Sequence, residues 1–189
     1  MTPRATTPFL RGERCYLRPL ERSDLDGGWR HWLNDPEVTR YMFHGSFPTS
    51  AEANESFYQQ VTAPSEADLV LAIVAVDGEV HVGNVGLHRI DWINRSAEFG
   101  IVIGEPEHWG KGIGGEATSL IIEHGFNRLN LHRIWLGVFA EHEAAVKLYE
   151  RIGFRVEGTL REAILREDKA KDQLIMGLLA HEYRSSPRT

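Results

Sequence analysis

The sequence predicts an α/β (α+β) chain with a mixed, mostly antiparallel central sheet of about seven strands flanked by helices. Three observations carry that reading. Short runs rich in β-branched or alternating side chains recur at Arg14–Leu20, Leu69–Val76, Val80–Asp91, Ser96–Gly104, Arg133–Phe139, Phe154–Arg166 and Asp172–His181. Segments with helical periodicity lie between several of them. The connection after Gly104 contains a helix, so the strand that follows should run parallel to the one before it, whereas Asp77-Gly78 is a hairpin signal that makes its neighbours antiparallel.

Each element has a local cause. Arg14–Leu20 alternates polar and apolar residues, the period of a strand with one buried face. Ser23-Asp24 supplies an N-cap for a helix holding Leu25, Trp29, Trp32 and Leu33. Asp35-Pro36 ends it, and Pro36 opens a short second helix through Tyr41. The stretch His44-Gly45 through Thr49 reads as a loop, after which Thr49 or Ser50 caps a helix from Ala51 to about Val61. Leu69–Val76 and Val80–Asp91 form the hairpin, and Trp92–Arg95 leads into Ser96–Gly104. A helix from about Gly114 to Arg128 turns Ala117, Leu120, Ile121 and His124 inward, with Ile122 and Phe126 widening the stripe. Another, Glu143–Ile152, aligns Ala145, Leu148, Tyr149 and Ile152, and Gly153 ends it. Two final strands flank the charged turn Glu167–Lys171, and the tail from Ser185 should fray.

Composition narrows the function. A chain of 189 residues, 42% hydrophobic and 25% charged, reads as one soluble globular domain over residues 1–189. The Met1–Pro8 stretch has no apolar signal-peptide core, and the longest aliphatic run, Leu69–Val76, is too short to span a bilayer. A single cysteine, Cys15, suits a reducing compartment, so the expectation is a cytoplasmic protein without a membrane partner. The net charge of −6 argues against a nucleic-acid partner. Seven acids and three bases fall within residues 21–55, a surface that attracts a cationic acceptor or is simply a set of solvated helix faces.

The stretch Glu105–Ala117, EPEHWGKGIGGEA, holds the sharpest signal. Four glycines (Gly110, Gly112, Gly114, Gly115) crowd around Lys111 between a strand and a helix. Glycine lets a ligand approach the main chain closely, and a helix N-terminus offers N–H groups and a positive dipole end, so the natural guest is a phosphate group. It is not a Walker A loop, because Gly112 follows Lys111 where Ser or Thr is required. The dinucleotide pattern G-x-G-x-x-A fits Gly112–Ala117, but the stretch Arg133–Val138 lacks the acid that pattern needs.

Three motifs coincide: W-G-K-G-I-G-G after a strand, A-E-H-E-A-A-V-K-L-Y-E-R-I-G-F downstream, and the strand S-A-E-F-G-I-V-I upstream. Together they resemble the GNAT superfamily of acyl-CoA-dependent N-acetyltransferases, over about Arg14 to Tyr183. The R-P-L-E-R-S-D-L opening and V-E-G-T-L ending are similar to the branch holding spermidine and ribosomal-protein N-terminal acetyltransferases. The resemblance implies the GNAT fold and acetyl-CoA as cosubstrate. The acceptor it implies is a small-molecule or peptide primary amine, a polyamine or a protein N-terminus ahead of an amino sugar or aminoglycoside. A homodimer or higher homo-oligomer is the family-based expectation, and a non-catalytic coenzyme-A-binding sensor is the other class. No metal is expected: the nine histidines show no ligand spacing.

The site residues follow from the same resemblance. The loop residues Gly110, Lys111, Gly112, Ile113, Gly114 and Gly115 would hold the diphosphate. The strand Ile101, Val102 and Ile103 would pair with the pantetheine arm and offer N–H groups to the thioester oxygen. Trp109 stands where the family often has Gln or Arg, and His142 where it often has Asn contacting the coenzyme. Glu98 shares a strand face with Gly100 and Val102. It is read as a base for the acceptor ammonium or as an ion-pair partner of Arg89 or Arg95. Periodicity makes Tyr149 a core aromatic, while the resemblance makes it the proton donor to the departing thiolate. His88, Asp91 and His108 are further candidates, and Trp29, Trp32, Tyr41, Met42 and Phe43 are candidates for the acceptor pocket.

Overall fold

The computed structural model describes residues 7–43, 45–63 and 66–185. The expectations placed on His44, on the first six residues and on the tail beyond 185 lie outside them. Strands β1 (Leu10–Arg11), β2 (Cys15–Pro19), β3 (Leu69–Ala75), β4 (Val80–Asp91), β5 (Ser96–Ile103), β6 (Arg133–Phe139), β7 (Arg155–Arg166) and β8 (Lys169–Leu179) form one sheet in the order β1-β2-β3-β4-β5-β6-β8-β7. Helices α1 (Trp29–Trp32), α2 (Pro36–Thr39), α3 (Ala51–Thr62), α4 (Ile113–Asn127), α5 (Glu143–Ile152) and α6 (Ala180–Ser185) flank it. The sheet has eight strands rather than about seven. The additional strand, β1, is two residues long, too short to show a period, and pairs Leu10 with Leu17 and Arg11 with Tyr16. The chain divides into two compact units, Met1–His88 with Gly100–Ile121, and Arg89–Phe99 with Ile122–Thr189.

In the first unit β2, β3 and β4 are antiparallel neighbours. The hairpin turns at Asp77–Glu79, where Gly78 takes φ +82°. Between Ile73/Val74 the β3–β4 register shifts: Ala75 pairs with Val80 and Val74 with His81, but Ile73 pairs with Gly83. Val82 is therefore an extra residue in β4, a β-bulge. The helix expected from Ser23-Asp24 is broken. Arg22–Asp26 is a 3-10 turn, Gly27-Gly28 interrupts it, and α1 is a single turn. The cap is Glu21, in a capping box with Asp24. Asp24 is drawn inward instead, where it accepts from Arg18 at 2.8 and 2.6 Å, with His81 Nδ1 3.4 Å away. Burial would raise the pKa of Asp24, but the Arg18 guanidinium, the Glu21 N–H and His81 hold it below the usual carboxylate range. Trp29 and Trp32, each 3% exposed, close this core with Leu20, Val38, Val70 and Ala72.

In the second unit β6 and β8 are antiparallel from Arg133↔Leu179 to Phe139↔Gln173, and β5 joins β6 in parallel, as the crossover required. The β7–β8 turn is only Glu167-Asp168, both with positive φ, so β8 begins earlier than expected. It ends at Leu179 rather than His181, because the Leu179 N–H donates to Glu182 and the chain enters α6. Gly153, at φ +114°, terminates α5 as predicted.

Candidate active site

The glycine stretch forms a shaped turn. Gly104 leaves β5 with its N–H on Val82 O at 2.8 Å, and Pro106–His108 makes one 3-10 turn. Gly110 and Gly112 then adopt φ of +72° and +83°, a region that strains any other residue. A side-chain carbon at Gly110 would meet nothing within 4 Å, so the main chain there is open to a ligand. The first bond of α4 runs from Glu116 N–H to Gly112 O, 3.0 Å. The N–H groups of Ile113, Gly114 and Gly115 precede it, as the first-turn donors of any helix do, and the exposed Lys111 stands beside them. These residues fit a diphosphate.

Two contacts that sequence reasoning did not anticipate hold this turn. The Trp109 indole N–H donates to Ile103 O at 2.9 Å, which ties the loop to the end of β5. Glu116, in the first turn of α4, accepts the main-chain N–H groups of Glu13, Arg14 and Cys15 at 3.0, 2.8 and 2.8 Å. Burial would raise its pKa, but those three N–H groups outweigh that and hold it below the usual range. No spacing rule links residue 116 to residues 13–15, so only the fold could reveal this contact.

The parallel ladder with β6 uses just Ser96, Ala97 and Glu98 of the eight residues of β5. Ile101, Val102 and Ile103 lie further along and are half-buried.

Glu98 forms an ion pair with Arg89, one of the alternatives left open by the sequence. The Arg89 guanidinium also lies 5.7 Å from the centre of the Trp135 ring. Tyr149 is 8% exposed, its ring edge-on to Phe99 and to Phe154 at 5.9 Å each. Burial pushes its phenol up to about 12. His142 precedes α5 as its N-cap residue without a side-chain cap bond, and burial lowers its pKa, so it is neutral at physiological pH.

The other candidates divide. Asp91 accepts from the N–H groups of Ile93 and Asn94 and from the Asn94 amide, so it builds the β4–β5 turn. His88 Nδ1 faces Asp68 Oδ1 at 3.3 Å. His108 is half-buried in the 3-10 turn. Of the aromatic acceptor candidates, Trp29 and Trp32 belong to the core, Met42 packs against it, Arg40 covers Tyr41, and Phe43 is 52% exposed. Among the described residues no helix is long and apolar enough to cross a membrane.

Comparison with known proteins places this geometry. The family model described as "Acetyltransferase (GNAT) domain" matches residues 14–155. A spermidine N(1)-acetyltransferase of Escherichia coli K12 is 35% identical over 174 residues, 92% of this chain and 90% of that protein. The N-acetyltransferase p20 of Bacillus licheniformis is 35% identical over 173 residues, 90% of this chain and 96% of that protein. The crystal structure of a spermidine N-acetyltransferase from Vibrio cholerae in complex with CoA and spermine superposes with a TM-score of 0.83 at 32% identity, covering 92% of this chain and all of that one. The chain belongs to the GNAT acetyltransferases and is an acetyl-CoA-dependent N-acetyltransferase.

Proposed function

We propose that the protein moves the acetyl group of acetyl-CoA to a primary amine of a polyamine by direct attack in a ternary complex. The observation that carries the coenzyme half is the turn at Gly110–Gly115, with two left-handed glycines opening onto the fifteen-residue helix α4. The acceptor half is supported by likeness to spermidine acetyltransferases over nine-tenths of the chain and by the acidic balance of residues 21–55.

The reaction needs an uncharged amine, a held thioester and a proton for the thiolate. In this reading the loop amides and Lys111 hold the diphosphate, and the β5 edge at Ile101–Ile103 holds the pantetheine arm. Glu98 receives the ammonium and takes its proton, directly or through water, once Arg89 yields. The nitrogen lone pair attacks the carbonyl carbon, and main-chain N–H groups of β5 stabilise the oxyanion. The C–S bond breaks, Tyr149 gives its proton to the sulfur, and the second proton of the acylated nitrogen leaves through solvent as the phenol is restored. A phenol raised to about 12 keeps that proton until a thiolate appears.

The test is thiol release from acetyl-CoA with spermidine, spermine, an alanine-terminated peptide and an aminoglycoside. Release accelerated by the polyamines above the other amines is expected. Coenzyme binding with no amine-dependent release would replace this reading with that of a sensor.

A further inference from the structure

The turn that joins β1 to β2 is docked on the glycine loop. Gly12 closes this turn with its N–H on Cys15 O at 2.9 Å. A side-chain carbon at Gly12 would come within 2.5 Å of the Glu116 carboxylate, so glycine lets the turn seat on the first turn of α4. Glu116 accepts the main-chain N–H of Arg14, and Arg14 O accepts the Val76 N–H at 2.9 Å. The backbone of Arg14 is thus fixed from both sides. Its side chain lies along the loop: a carbon added at Gly112 would stand 3.3 Å from Arg14 Cδ and Nε and 3.9 Å from Cζ. That side chain is 57% exposed, and its Nη1 is 3.8 Å from Glu116 Oε1, beyond hydrogen-bond reach. The Glu116 oxygens are occupied by the N–H groups of Glu13, Arg14 and Cys15.

We propose that Arg14 is a coenzyme-binding residue whose guanidinium takes a phosphate of acetyl-CoA beside Gly112. The inference rests on the reading of Gly110–Gly115 as the coenzyme turn. From Trp109 to Gly115 the sequence supplies one cation, Lys111, and the Trp109 N–H is committed to Ile103 O. Coenzyme A carries a diphosphate and a further phosphate on its ribose, more negative charge than one lysine balances. Arg14 brings a second positive charge from a distant part of the chain, and its planar fork of donors matches phosphate oxygens. Gly112 then serves twice. It takes the left-handed φ of +83°, and it leaves room for the arginine that a side chain would displace. The same chemistry would hold either the diphosphate or the ribose phosphate.

The experiment measures binding of acetyl-CoA and of 3′-dephospho-CoA to wild type, Arg14→Gln, Arg14→Lys and Lys111→Gln by calorimetry at low and high salt. Melting of each unliganded protein is recorded alongside. Arg14→Gln is expected to raise Kd for acetyl-CoA about tenfold at low salt, and Arg14→Lys less. The loss should shrink as salt rises, because the contact is exposed. Melting should stay within about 2 °C of wild type, since an exposed ion pair contributes little. A loss kept with 3′-dephospho-CoA supports the proposal and assigns the diphosphate; a loss confined to acetyl-CoA supports it and assigns the ribose phosphate. Arg14→Gln within about twofold of wild type at low salt overturns the proposal; if Lys111→Gln still weakens binding, the coenzyme turn stands. Affinity that falls equally at both salt concentrations, with lowered melting, makes Arg14 a prop for the turn and also overturns it. A wild type that binds no acetyl-CoA overturns both.

Discussion

Removing Glu116 tests how the phosphate loop is held. Glu116→Ala strips one carboxylate from three main-chain donors, those of Glu13, Arg14 and Cys15. A hydrogen bond to an ionised group contributes about 1.5–3 kcal/mol. The Glu13 and Arg14 amides are at the surface, where water takes the place of the carboxylate at small net loss. The Cys15 amide is partly buried, and leaving it without an acceptor costs about 2 kcal/mol. The total is then about 2–4 kcal/mol, which for a chain of this length lowers Tm by roughly 5–15 °C. The same side chain ties the start of β2 to the first turn of α4, so acetyl-CoA affinity should fall with it. The pH dependence has a definite sign. Glu116 titrates below its unfolded value of about 4.3, so its contribution is complete above that pH and is lost as pH falls through the folded-state value. Thermal melting of wild type, Glu116→Gln and Glu116→Ala, with and without acetyl-CoA, measures all of this. A Glu116→Ala protein melting within about 2 °C of wild type at neutral pH refutes the reasoning.

Other outcomes are equally open to measurement. Tyr149→Phe should keep acetyl-CoA affinity and lower turnover about 100-fold, and wild-type turnover in that variant would make Tyr149 packing only. Because burial pushes the Tyr149 phenol up to about 12, the wild-type pH–rate curve should show no loss from its ionisation as far as about pH 10. Glu98→Gln should lower turnover and flatten the alkaline rise of that curve, and unchanged kinetics would remove Glu98 from the reaction. Asp24→Ala leaves the Arg18 guanidinium buried without its bidentate partner and should cost about 3–5 kcal/mol in urea unfolding. Buried His81 has a pKa lowered chiefly by desolvation, against the opposing pull of Asp24. Stability should therefore begin to fall as pH drops below about 6.5, ahead of the carboxylate transitions.

Strands and helices with strong local signals were legible. The Asp77-Gly78 turn, the Ser50 cap, Pro36 at the start of its short helix and Gly153 all act where their chemistry requires. What escaped depends on contacts distant in the chain or on single-residue insertions. Asp24 looked like a cap residue, yet it is drawn to Arg18 on β2, and Gly27-Gly28 divides the helix it was meant to open. The pairing of Asp68 with His88 depends on the bulge at Val82. Without that extra residue the register Ala75↔Val80 would continue to Asp68↔Leu87, and His88 would point to the other face. The loop was recognisable from its glycines, but its restraint by Trp109 on Ile103 and by Glu116 on Cys15 was not.

Trp32 has a consequence beyond the core it fills. Its indole lies against Gly104, where a side chain would collide with the ring, and its N–H donates to Glu105 at 2.9 Å. One rigid side chain thus joins α1, in the segment the amine is expected to meet, to the two residues that lead into the coenzyme turn. In the proposed reading such a strut would make the occupancies of the two substrates interdependent, and linkage would require the help to be mutual and equal in size. Trp32→Phe, which lacks the N–H, should therefore bind each substrate alone much as before. The tightening of one by the other should shrink by the same factor in both directions.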